Sequence, residues 1–330
     1  MADDKSSQDI ALAIDIGGTK AAFSIISIDG KVLIPIEKHL VPFTSENKAD
    51  PNGLLGIIAP YVARANQLPG RLRGIGLSCC GAIDHEKGIA VLVPNLHWHY
   101  VPFGEIVRQA FGLPVFMAAD VRMAALAEAA WGAGKGVQNF AWVTVGTGYG
   151  GHLFLNGKLY DGSHGLAGNF GHTTFDEIHG DPCGCGRKGC FETYVAGPAI
   201  ARAGQRAAAN QESSFLELIA HDREICTRDV FEAEAAGDPA ARDIVENAIR
   251  LICMNLGGLV NTLDLELIVM GGGVVHGCSD FVERVRHRVR DYLMTNEAKN
   301  DLKMVKESFD NSALIGAAAD VFIRQNLFSL

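Results

Sequence analysis

Two segments of the chain share one layout, and that layout predicts a mixed α/β protein built from two related domains. Each segment is an apolar run that ends in a glycine turn, returns as a second run and closes on a hairpin dipeptide. In the first, Ile10 to Ile16 meets Gly17-Gly18-Thr19-Lys20, Ala21 to Ile28 follows, and Asp29-Gly30 turns the chain into Lys31 to Ile36. In the second, Phe140 to Val145 meets Gly146-Thr147-Gly148-Tyr149-Gly150-Gly151, His152 to Leu155 follows, and Asn156-Gly157 turns into Lys158 to Tyr160. Residue identity between the two is slight, so the repeat is one of topology. Helical segments after each supply the other half of the class.

The remaining elements follow in order. Leu54 to Ala65 has the pattern of a helix and Gly74 to Ser78 that of a buried strand. Phe103 to Phe111 is helical, Pro114 to Met117 a short strand, and Asp120 opens an Ala-rich helix to Trp131, an acid suiting a helix start. After the second glycine turn, Ala196 to Ala209 and Pro239 to Leu259 are helical. Leu265 to Met270 is a β-type run stopped by Gly271-Gly272-Gly273, and Ser279 to Met294 and Ala313 to Gln325 are the last helices.

Composition narrows the function. A chain of 330 residues, 48% hydrophobic, has room for two cores without staples. Lys+Arg is 29 against 38 Asp+Glu, a net charge of −9 with no basic cluster, which argues against a nucleic-acid surface. No apolar run reaches the ~18 residues of a membrane span. Met1 to Gln8 is polar, without the apolar centre of a signal peptide, so the expected location is cytoplasmic. Eight cysteines are too sparse for a disulfide scaffold, and the scattered Cys226, Cys253 and Cys278 suit small buried positions.

The glycine turns fit neither common nucleotide motif. There is no G-x-x-x-x-G-K-[ST], and each turn leads into a strand instead of opening a helix. Glycines let a backbone approach a ligand closely and aim several N–H groups at one anion. Thr19 and Thr147 add hydroxyl donors, and Asp15 stands where a carboxylate can hold Mg²⁺ through water. Either turn alone could be an ordinary glycine-rich hairpin; the matched pair favours a phosphate clamp.

A second constellation is His172 followed by Cys183, Cys185 and Cys190, one imidazole and three thiols within nineteen residues. Such a Cys₃His set is a closed tetrahedral zinc site, structural because no position stays open. A redox cysteine pair beside an unrelated histidine is the other reading.

Together, Asp15-Ile16-Gly17-Gly18-Thr19-Lys20, Gly146 to Gly151 and His172…Cys183-Gly184-Cys185-Gly186-Arg187-Lys188-Gly189-Cys190-Phe191-Glu192 resemble the ROK family of repressors, open reading frames and sugar kinases, from Ala11 to about Ala319. The resemblance implies an actin-like ATPase fold, two RNase H-like domains with ATP and sugar in the cleft. The implied division is 1–118 and 119–312, with 313–330 packing back on the first domain. The implied activity is transfer of the γ-phosphate of Mg·ATP to the 6-hydroxyl of a hexose, with Asp120 as general base. Asp15, Gly17, Gly18, Thr19, Lys20, Gly146, Thr147, Gly148, Gly271, Gly272 and Gly273 then serve ATP and Mg²⁺. Gly81, Asp120, Asn169, His172 and Glu192 serve the sugar, and His172, Cys183, Cys185 and Cys190 bind zinc. His97 to Tyr100 fall where the family has a sugar-proximal loop, or form an ordinary aromatic loop. Dimers or tetramers are usual in the family.

Two positions depart from the family pattern. Ala119 replaces an Asn and Asn169 replaces a Glu, both sugar contacts. Losing a buried polar contact costs selectivity, so glucose is not expected to be the best hexose. An allose, amino-sugar, N-acetyl-hexosamine or cyclitol kinase is the alternative. A sugar-sensing repressor is disfavoured, because only fourteen residues precede Asp15 and the basic balance of a DNA-binding domain is missing.

Overall fold

The computed structural model describes residues 8–330; most of the polar start from Met1 to Gln8 lies outside them. In chain order the first elements are β1 (Asp9–Ile16), β2 (Lys20–Ser27), β3 (Glu37–Leu40), α1 (Pro51–Ala65) and β4 (Arg71–Cys79). Then come β5 (Ala82–Asp84), β6 (Ile89–Val93), β7 (Trp98–Val101), α2 (Phe103–Phe111), β8 (Val115–Ala119) and α3 (Asp120–Trp131). The second series begins β9 (Phe140–Val145), β10 (Tyr149–Leu155), β11 (Lys158–Tyr160), α4 (Glu192–Val195), α5 (Gly197–Ala209). It continues α6 (Ser214–Asp222), α7 (Thr227–Ala235), α8 (Pro239–Leu263), β12 (Leu267–Gly271), α9 (Gly273–Gly277) and α10 (Phe281–Val289). The last are α11 (Asn296–Asp301), β13 (Lys303–Lys306) and α12 (Ser312–Arg324).

The topological repeat is real. One sheet runs β3-β2-β1-β4-β8 and the other β11-β10-β9-β12-β13, the same order with the same directions. The chain divides into two compact units. The first runs to Gly136 and adds 157–166 and 308–330; the second holds 137–156 and 167–307. The expected boundary after residue 118 therefore moves. α3 stays in the first unit because its buried face packs on α12, and the C-terminal segment belongs there with it.

β1 is buried on both faces, as parallel pairing with β4 requires. Ile10, Leu12 and Ile14 pack with Leu54 and Ile58 of α1, while Ala11 and Ala13 meet α3 and α12. The alanine side is small because backbone comes close there. A Cβ on Gly76 would lie 1.9 Å from the Ala317 carbonyl oxygen, and one on Gly316 would lie 1.7 Å from that of Met123. The second unit packs α5, α7 and α8 on its sheet around Ile200, Val230, Ile249 and Leu256.

Some elements differ from expectation. Lys31 to Ile36 is not a regular strand: it pairs with β2 only through Lys31 to Leu33, Pro35 has no N–H to give, and regular pairing returns in β3. α1 begins at Pro51, three residues early, because Asp50 caps it by accepting the Asn52 N–H at 3.0 Å. The expected helix from Ala196 to Ala209 is α5, with Ala196 as its N-cap and Pro198 in its first turn, and the short α4 just before it was not expected. A small antiparallel sheet, β5-β6-β7, was not expected. Cys253 is buried as expected, but Cys226 is exposed and Cys278 half-buried.

The helix contact sets a stability test. Gly316→Ala should cost about 2–4 kcal/mol, read from the denaturation midpoint, because backbone must move to admit the methyl. Gly56→Ala in α1, where a Cβ meets nothing within 4 Å, should stabilise by ~0.5–1 kcal/mol. Equal effects at the two positions would contradict this packing.

Candidate active site

In the first unit the parallel register sets Asp15, Ser78 and Ala118 abreast at the C-terminal ends of β1, β4 and β8. Such strand ends are where open α/β sheets bind ligands. Asp120 follows one residue beyond Ala119, as the first residue of α3. Ser78 Oγ donates to Asp15 Oδ1 at 2.6 Å, and the Val121 N–H donates to Asp120 Oδ1 at 2.9 Å. Both carboxylates are half-buried. Burial raises Asp15 against the opposing bond from Ser78. Burial, with the nearby Asp15 charge adding to it, pushes Asp120 up to about 6.

The first glycine turn joins β1 to β2. Gly17 N–H donates to the Lys20 carbonyl at 3.0 Å, and Thr19 and Lys20 are exposed. Gly18 is pressed on Asn95, whose Cβ would lie 2.6 Å from an added methyl. Gly81 sits at φ +100° beyond β4, and a Cβ there would lie 2.6 Å from the Leu92 carbonyl oxygen, so β6 fixes its place. The aromatic stretch divides: Trp98 is buried on Phe103 and donates Nε1–H to the Ala49 carbonyl at 2.8 Å, whereas Tyr100 is exposed.

In the second unit, Gly146, Thr147 and Gly273 line one cavity of about 1380 Å³, with Gly197, Thr227 and Arg284 among its other walls. Gly271 and Gly272 are not among its walls, and Gly271 faces Glu307. Gly272, at φ +95°, closes on Thr144 and Val145, and its N–H donates to Glu307 Oε1 at 3.3 Å. Gly148 faces Glu192, whose Oε2 accepts the Tyr149 N–H at 3.1 Å. Gly168 and Gly171 lay the next segment flush on β10: their Cβ atoms would lie 2.1 Å from the Gly151 and 1.7 Å from the Tyr149 carbonyl oxygens. That contact places Asn169, exposed, and His172, half-buried.

The four zinc candidates come together, all ligand atoms lying within 4.8 Å of one another. Cys183 Sγ is 3.4 Å from His172 Nδ1, and Cys185 Sγ is 3.6 Å from Cys190 Sγ. A tetrahedron with Zn–S near 2.3 Å has edges of about 3.5–3.8 Å, so the set fits such an ion. Gly186 and Gly189 at positive φ make the turns, the latter against the Asp176 carbonyl. Glu192 Oε1 lies 3.9 Å from His172 Nδ1 and 3.7 Å from Cys183 Sγ, linking this cluster to the glycine turn.

The family model described as "ROK family" matches residues 11–323. The chain belongs to the ROK family. It is 31% identical to the N-acetylmannosamine kinase of Shigella boydii, over 93% of this chain and 96% of that one. A crystal structure of a ROK family glucokinase from Streptomyces griseus, in complex with glucose and AMPPNP, superposes with a TM-score of 0.76 at 30% identity. The match covers 94% of this chain and 98% of that one. A ROK family transcriptional regulator, a homologue of the E. coli MLC protein, gives 0.84 at 27% identity, over 99% of this chain and 80% of that one. The fold is the actin-like ATPase fold shared by these ROK proteins, and its sheet topology occurs twice along the chain.

Arg122 and Asp161, treated below, carried no signal in the sequence. Asp120 itself has a measurable consequence. It keeps its proton to about pH 6 when folded but only to about 3.8 as a free carboxyl, so its ionisation weakens the fold. The cost is absent below about pH 4, grows as pH rises through 6 and is complete above. Asp120→Asn should therefore raise Tm at pH 8 and leave it unchanged at pH 4; the same shift at both would refute a carboxyl held against ionisation.

Proposed function

We propose that this ROK protein is an ATP-dependent hexokinase-type phosphotransferase, acting on the 6-hydroxyl of a hexose or modified hexose. The observation that carries the reading is Asp120: a half-buried carboxylate at the strand ends, beside Asp15, tuned to about 6. A general base works best when its pKa lies near the operating pH.

The sugar O6 forms a bond to the γ-phosphorus, the bond from that phosphorus to the bridging oxygen breaks, and ADP leaves. Asp120 accepts the O6 proton as the new bond forms. Backbone N–H groups of Gly18 and Gly148, with the Thr19 and Thr147 hydroxyls and Lys20, hold phosphate oxygens in place, while Gly17 and Gly146 shape the two turns by donating their own N–H groups to the Lys20 and Gly148 carbonyls. Gly271, Gly272 and Gly273 serve the adenosine side. Asp15 would hold Mg²⁺, which neutralises charge on the β- and γ-phosphates. Burial raises Asp15, a cost that a neighbouring dication offsets. Gly81, Asn169, His172 and Glu192 take sugar hydroxyls. His172 does so through Nε2, because Nδ1 faces the thiols. His172, Cys183, Cys185 and Cys190 would hold zinc, which would fix the loop that ends in Glu192. Among the described residues no helix is long and apolar enough to cross a membrane, which suits a cytoplasmic enzyme.

A sugar-responsive regulator without kinase activity is the second reading, because a transcriptional regulator of the family is so close in structure. Release of ADP across a panel of glucose, mannose, allose, amino sugars and N-acetyl sugars decides between them. Turnover of at least one sugar is expected, with glucose not the best by kcat/KM. Asp120→Asn should lower kcat by roughly 10²–10⁴. The wild-type kcat/KM should fall as pH drops through about 6, as the base takes up its proton. No turnover of any sugar, or an Asp120→Asn enzyme as fast as wild type, would overturn the reading.

Metal content tests the loop. One zinc per chain is expected, lost in Cys185→Ser together with sugar affinity; a zinc-free wild type would refute the site.

A further inference from the structure

The helix that carries Asp120 starts without a capping side chain. Its N-cap is Ala119, and the Asp120 carboxylate bonds an N–H of its own turn. The contact behind it is smooth. Met123, Ala127 and Ala130 of α3 share a buried cluster with Leu314, Ala317, Ala318 and Val321 of α12. Alanine surfaces and the Gly316–Met123 contact set how deep α3 lies but give its two ends little resistance to turning.

Polar groups supply that resistance at both ends. At the far end Glu128, fully buried, accepts the N–H groups of Ala133 at 2.8 Å and Ser308 at 2.6 Å. At the near end stands Arg122, two residues past Asp120, with a side chain 10% exposed. Its Nε and Nη2 donate to the two oxygens of Asp161 at 2.7 and 3.4 Å, and Nη1 donates to Asp320 at 3.5 Å. Residues two apart leave a helix about 200° apart, so the fork grips α3 from the side away from the Asp120 carboxylate. A guanidinium paired to both carboxylate oxygens fixes orientation as well as distance.

We propose that Arg122, through its fork on Asp161, is a positioning residue for the Asp120 base, setting the rotation of the helix start. The proposal rests on Asp120 being the base. Proton transfer and attack are steep in distance, so a loosened helix start lowers kcat without touching the phosphate turns.

The test uses the full chain and the best hexose of the panel, well below each variant's Tm. Arg122→Gln, Arg122→Lys, Asp161→Asn, the pair Arg122→Gln with Asp161→Asn, and Asp120→Asn are compared for kcat, KM for ATP and Tm. Expected is a loss of about 10–100-fold in kcat for Arg122→Gln and for Asp161→Asn, with KM for ATP within about twofold. The double variant should lose less than the product of the two singles, because the shared fork is removed only once, while Arg122 also bonds Asp320 and Asp161 also faces His85. Lysine should restore little, since it keeps the charge and loses the fork. Wild-type kcat with only a lower Tm would reduce Arg122 to a structural residue and overturn the proposal, as would strictly multiplicative losses in the double variant. If Arg122→Gln does not fold, Asp161→Asn carries the same comparison. If Asp120→Asn retains activity, the base assignment falls and this inference with it. If Asp120→Asn is inactive but Asp161→Asn is normal, this inference alone falls.

Discussion

The close contact of α3 with α12 governs the first unit. Glycine and alanine at Gly76, Gly316, Ala317 and Ala318 bring backbone against backbone, and a methyl at either glycine would meet a carbonyl oxygen. That closeness draws a helix from the last residues of the chain onto the sheet that begins at Asp9, and it fixes α3 behind β8. β8 in turn pairs with β4 in the register that puts Ala119 beside Cys79 and Asp120 at the strand ends. The position of the carboxylate therefore depends on small residues far from it in sequence. Its tuning depends on the same burial, since desolvation is the largest cause of its raised pKa.

The second unit solves a different problem. The segment from Ala167 to Cys190 has little apolar content of its own, and Phe175 and Ile178 stay exposed. It is held from two sides. Gly168 and Gly171 press it on β10, where no side chain would fit, and the thiols of Cys183, Cys185 and Cys190 gather on His172. Glu192 sits where these two supports meet, with one oxygen on the Tyr149 N–H and the other facing His172 and Cys183. A change at the cluster thus reaches the glycine turn through one carboxylate.

Local signals were legible. Strand, glycine turn and hairpin gave both halves of the fold, because apolar runs and turn residues act over a few positions. The Cys₃His spacing was legible for the same reason: its ligands lie within nineteen residues. Arg122 was not, since Asp161 and Asp320 lie 39 and 198 residues away and an arginine in an alanine-rich helix usually faces water. The boundary between units was misplaced on similar grounds: α3 follows β8 directly, yet it packs against a helix almost two hundred residues on. β5 to β7 escaped notice because strands of three to five residues with a proline between them read as loop.

Ala119 and Asn169 stand where side chains can change while the fold holds. Ala119 is tied by its backbone to β4, and Asn169 gives its carbonyl to the His172 N–H at 3.0 Å. The elements that aim the two positions are fixed by glycines and strand register, which do not depend on the side chains there. A different group at either position therefore alters what a ligand meets and leaves Asp15, Asp120 and the glycine turns where they are. The side chains at 119 and 169 can thus vary without moving the strand ends that carry Asp15 and Asp120. One helix start is the exception. Ala119 is both an aimed position and the uncapped first step of α3, so the side chain there bears on the start of the helix that carries Asp120. In this chain the fork of Arg122 on Asp161 stands at that uncapped end.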